Sequence, residues 1–104
     1  MRTERKKGRN ASRHHSRLVS IRALGRRVAQ EIESMPENHA VSGNAAFAFE
    51  LFNGLDRFKE ANGRDMSSQE LSAFRLRLAR RKVFIVKQSG KTATFILSRN
   101  QKTF

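Results

Sequence analysis

Between residues 17 and 35, apolar positions recur three and four apart: Leu18, Ile21, Gly25, Val28, Ile32 and Met35, with Leu24 and Ala29 beside them. That spacing predicts a helix of about five turns with one narrow apolar seam. Arg17, Arg22, Arg26 and Arg27 fall on its remaining faces, and Pro36 ends it. Glu31 and Glu33 stand near its C-terminus, where the helix dipole disfavours acids. Two heptads are too short for a freestanding coiled coil, so the seam packs either on the domain or on a second copy of the chain. Residues 37–43 read as a loop, with His39 facing solvent. Asn44 is a suitable N-cap for a second helix over residues 45–61, which stops at Asn62-Gly63. Phe47, Ala48, Leu51, Phe52, Leu55 and Phe58 cover one face of it, which makes it the predicted core helix. Glu50, Asp56, Arg57 and Glu60 lie largely away from that face. Phe49 projects off it, toward either the first helix or an interface.

The pattern then changes period. Ser67-x-x-Glu70 has capping-box spacing and predicts a third helix over residues 68–82. Leu71, Phe74 and Leu78 share one face of this helix, with Ala73, Arg77 and Arg80 roughly opposite. Two β-rich runs follow, residues 83–86 and 92–97. With Ser89-Gly90 as a two-residue turn, Phe84 sits opposite Phe95, Val86 opposite Ala93, and Val83 opposite Ile96. Lys87 and Lys91 then flank the tip. Residues 1–16 have no apolar periodicity and read as a disordered basic arm, and residues 98–104 as a fraying tail. One domain over residues 17–97 remains, mainly α with a C-terminal β-hairpin.

Charge changes the picture from a fold to a candidate interface. The chain of 104 residues carries a net +13, unevenly spread. Residues 1–30 hold ten Lys/Arg against one acid, residues 31–70 three against eight, and residues 71–104 nine against none. Two basic ends thus flank an acidic middle. Such clusters gain free energy by displacing counterions from phosphates, so the expected partner is nucleic acid, above all double-stranded DNA. The arm also has the Arg- and Ser-containing, acid-poor makeup of a mitochondrial targeting segment, but the same bias at the other end of the chain favours a binding role.

Other chemistry finds little to work with. There is no cysteine, which excludes disulfides and thiolate metal sites. His14 and His15 are adjacent in the arm and read as solvated side chains, with no metal-ligand spacing. No nucleophile–base pairing, Gly-rich phosphate loop or membrane-length apolar run is present. The expectation is a non-enzymatic protein without cofactor or membrane contact, located in the cytoplasm or on the nucleoid.

The order helix, helix, helix, hairpin resembles the winged-helix branch of helix-turn-helix proteins, over roughly residues 44–97. The resemblance implies a small sequence-specific transcriptional regulator or accessory factor, with its third helix in the major groove and a two-stranded wing beside it. Arg77 and Arg80 would stand near base edges, and Arg81, Lys82, Lys87 and Lys91 on phosphates. Arg2, Arg5, Lys6, Lys7, Arg9 and Arg13 of the arm would track the backbone. A homodimer would match palindromic sites. The alternative is a nonspecific RNA- or DNA-packaging or adaptor protein whose acidic middle docks on a protein partner.

Overall fold

A computed structural model describes the backbone of residues 2–98 and the side chains of residues 13–97. The elements run α1 (Arg2–Glu33), β1 (Ala40–Val41), α2 (Gly43–Asn62), α3 (Ser68–Ala79), β2 (Arg81–Gln88) and β3 (Lys91–Ser98). The fold is mainly helical, with a three-stranded antiparallel sheet in the order β1-β2-β3.

The apolar seam of α1 packs in cis. Leu18, Val28 and Ile32 are buried, and Ile21 and Met35 pack against the same core. Gly25 has no Cβ because one would collide with Phe52 of α2, so the two helices meet closely there. The helix does not begin at Arg17. It starts at Arg2 and runs for 32 residues, through the stretch expected to be an arm. The arm lacks an apolar stripe, but Arg, Lys, Ala and Glu propagate an existing helix at little cost once the packed half has nucleated it. His14, expected to be solvated, is half-buried, and its Nε2 donates to the Met66 carbonyl at 2.7 Å.

α2 is enclosed on two sides, by α1 on one and by α3 and β2 on the other. Its buried residues are Ala46, Ala48, Glu50, Leu51, Gly54 and Leu55, and its phenylalanines are half-buried at the edges. The single predicted face therefore misses Ala46, Glu50 and Gly54, which are buried as well. Glu50, expected to point away, is 4% exposed. The N-cap is Ser42 rather than Asn44, and Gly63 closes the helix in the left-handed conformation, its N–H donating to Lys59 O at 2.8 Å.

α3 opens with the predicted capping box: Glu70 N–H donates to Ser67 Oγ at 3.1 Å, and Ser67 N–H to Glu70 Oε1 at 2.8 Å. It ends at Ala79, three residues short of the predicted Lys82. Arg80 caps it and Arg81 already begins β2. The hairpin has the predicted register, with Phe84 opposite Phe95, Val86 opposite Ala93 and Val83 opposite Ile96. Ser89 and Gly90 form the turn at φ 53 and 75.

The expected two-stranded wing is part of a three-stranded sheet. Ala40 and Val41, assigned to a loop, pair with Val86 and Ile85. Asn38, at φ 65, redirects the chain so that its N–H donates to Lys87 O at 2.7 Å, while Lys87 N–H donates to His39 O at 3.2 Å. The Glu37 carboxylate also accepts from Gly90 N–H at 2.9 Å, which ties the hairpin tip to the loop after α1. Of the predicted C-terminal tail, Ser98 ends β3 and residues 99–104 lie outside the described residues.

Candidate nucleic-acid interface

The short connection between α3 and β2 decides where the basic residues go. Because the helix stops at Ala79 and the strand starts at Arg81, five cations fall within eight residues of chain, Arg75 and Arg77 on opposite flanks of α3 and Arg80, Arg81 and Lys82 at its junction with β2. Arg75, Arg77, Arg80, Arg81 and Lys82 are all exposed. Among the described residues, none of the five forms an ion pair within 4.0 Å, although four other cations do. No acid occurs from residue 71 onward to screen them.

Arg77 and Arg81 lean into a cleft of about 180 Å³ with Arg57, Phe74, Leu78 and Ile96, above the buried Glu50. Arg57 donates to Glu50 Oε1 at 2.6 Å and neutralises it from the solvent side. Arg81 and Lys82 also border a larger cleft of about 570 Å³, between the start of α2 (Ser42, Gly43, Asn44) and β2. The outward face of α3 carries Gln69, Ser72, Ala73 and Leu76, continued by Arg80. Leu76 is 62% exposed at its centre. Sequence reasoning missed Arg75, Gln69, Ser72 and Leu76, because it looked for charge opposite the core face rather than for the whole accessible surface of the helix.

Half of the eight acids of the middle segment, Glu50, Asp56, Asp65 and Glu70, are paired with cations within the fold. Arg22, expected on an outer face of α1, is mostly buried and bonds Asp65 at 2.6 Å, with Asp56 at 3.8 Å. Its hydrogen bond holds the Asp65 carboxyl below the usual carboxylate range. Arg64 grips Glu70 through both of its terminal nitrogens, at 2.8 and 3.0 Å, and lies 5.0 Å from the centroid of the Phe58 ring. That contact, helped by the Ser67 backbone N–H, pulls Glu70 down to about 2.

The remaining predicted site residues separate. Lys91 is exposed at the hairpin tip. Lys87 is half-buried, and its Nζ donates to the carbonyls of Glu33 and Met35, the latter at 3.2 Å. It caps the end of α1, so its charge is spent inside the fold. Arg13 is exposed on α1. Arg2, Arg5, Lys6, Lys7 and Arg9 lie on the same helix, with side chains outside the described residues. Among the described residues, no group of three His, Cys, Asp or Glu side chains could hold a metal ion, and no helix is long and apolar enough to cross a membrane. Compared with known protein families, curated proteins and solved structures, the chain finds no match.

Proposed function

We propose that the chain is a small DNA-binding protein of winged-helix type, a sequence-specific regulator or accessory factor whose α3 enters the major groove. The observation that carries this reading is the run from Arg75 to Lys82: five exposed cations without acidic partners along α3 and its junction with β2, around an exposed helix face of Gln69, Ser72, Ala73 and Leu76. Small side chains at Ser72 and Ala73 let a helix approach base edges closely. Gln69 is suited to the N6 and N7 atoms of an adenine, and Leu76 to a thymine methyl group. Arg81, Lys82 and Lys91 are suited to phosphates. The element order, with a strand between the first two helices and a hairpin after the third, supports the winged-helix arrangement. Against the packaging or adaptor reading stand the ion pairs of Glu50, Asp56, Asp65 and Glu70, which engage four of the eight carboxylates of the acidic middle within the fold.

The test is selection of preferred duplexes from a random pool, followed by competition with excess scrambled DNA. Binding that survives competition on one site supports the reading. On that site, Leu76→Ala is expected to lose about 1 kcal/mol of preference at an A·T pair, with the salt dependence unchanged. Lys82→Ala is expected to weaken every duplex alike and to make the salt slope shallower. Uniform losses for both variants, with no preferred site, would mean that the surface packages nucleic acid without reading it.

A further inference from the structure

The sheet ends on β3, and its outer edge is unpaired among the described residues. Hydrogen bonding fixes which backbone groups face outward. Lys87 N–H bonds toward β1, so odd-numbered residues of β2 face β1 and even-numbered ones face β3. Through the register, Ala93, Phe95 and Leu97 bond back to β2, while Thr92, Thr94 and Ile96 turn their N–H and C=O groups to the free edge.

Sheet edges are normally blunted by charge, proline or a bulge, because a bare edge is a template for another strand. β3 has none of these between Lys91 and Ser98: its eight pairs with β2 run without interruption, and Thr92–Leu97 is uncharged. It also displays apolar side chains, with Phe95 50%, Leu97 49% and Ile96 38% exposed.

We propose that β3 is a dimerisation strand. Two copies pair antiparallel, edge to edge, about a two-fold axis at Thr94, and join their sheets into one of six strands. The strand is complementary to itself in this register. Ala93 falls opposite Phe95 of the second copy, Thr92 opposite Ile96, and Lys91 opposite Leu97, so Phe95 and Ile96 meet smaller residues and no cation opposes another. In a chain of +13, this neutral strip is where two like-charged copies can approach. The α1 seam, the other candidate interface, is already filled by α2.

Sedimentation of the full chain without DNA tests this independently of any nucleic-acid role. The expected mass is twice 11.9 kDa. Leu97→Lys is expected to give a monomer with an unchanged circular dichroism spectrum. Thr94→Pro, which removes only an outward N–H, is expected to do the same; if it unfolds, Leu97→Lys alone decides. Because the chain has no cysteine, Thr94→Cys introduces a single thiol. Paired residues at the axis lie about 5.5 Å apart, within disulfide reach, so mild oxidation should cross-link this variant. Phe95→Cys, displaced diagonally by about 7–8 Å, should not cross-link. A monomeric parent chain, a dimer that survives Leu97→Lys, or equal cross-linking of both cysteine variants overturns the proposal.

Discussion

Two glycines in helices do what no other residue could. Gly25 lets α1 lie against Phe52, and Gly54 lets the Phe74 ring of α3 rest on α2. In an exposed helix, Gly→Ala gains about 1 kcal/mol from propensity. At Gly54 the new methyl group would strike the Phe74 ring, and overpacking costs about 1–3 kcal/mol. Gly54→Ala is therefore expected to lower the denaturant midpoint, and Phe74→Leu to cost less in that background than in the parent chain. Additive effects of the two substitutions would show that the contact does not limit packing. Glu70 gives a second test at this scale. Its folded pKa, about 2, lies below the usual carboxylate range chiefly because Arg64 donates to it. The Arg64–Glu70 contact, with the capping box, therefore contributes stability that is fully present above the ordinary carboxylate value and is lost as pH falls toward about 2. Arg64→Ala should return the Glu70 titration, followed by carboxyl-carbon NMR, toward the ordinary range. An unmoved titration would assign the shift to Ser67 instead. Such partners are hard to read from sequence: Ser67 and Glu70 are three residues apart and were legible, whereas Arg22 and Asp65 are 43 apart and were not.

At the scale of elements, legibility follows the range of the interaction. The α1 seam, the start of α3 and the hairpin register each rest on spacing within one element or across a two-residue turn, and all three could be read. β1 could not. Two residues carry no period, and Ala40 and Val41 are a strand only because β2 lies beside them. The same distance effect hid the partners of Lys87. Sequence places it near a hairpin tip with Lys91, but the fold lays that part of the hairpin against the end of α1, which has no basic residue in its last turn. Lys87 supplies the missing cation to the C-terminal carbonyls, where a positive charge is favoured. Lys87→Met should therefore destabilise the domain by about 1 kcal/mol in denaturant melts and leave the salt slope of DNA binding unchanged. Lys91→Ala should do the reverse. If both substitutions altered only the salt slope, the capping role of Lys87 would be wrong.

Charge acts over the whole molecule. α1 is 32 residues long, about 48 Å at 1.5 Å per residue, and forms much of a particle whose longest extent is 56 Å. Its second half is held by the core, and His14 marks the last described anchor, on Met66. Arg2, Arg5, Lys6, Lys7 and Arg9 precede that anchor on the same helix. These five cations are therefore carried by an element that the core orients, where sequence suggested a loose arm. On the proposed reading, the residues suited to reading bases lie on α3, and the N-terminal half of α1 adds cations suited to phosphates. Removing residues 1–12 separates the two contributions while sparing His14. The domain should melt at an unchanged denaturant concentration. DNA affinity should fall alike for the selected site and a scrambled duplex. The slope of log K against log salt should become shallower by about 0.9 for each phosphate that the shortened chain no longer neutralises. A truncation that kept nonspecific affinity but erased preference for the selected site would make the N-terminal helix a base reader, and α3 would lose its place as the element that sets specificity.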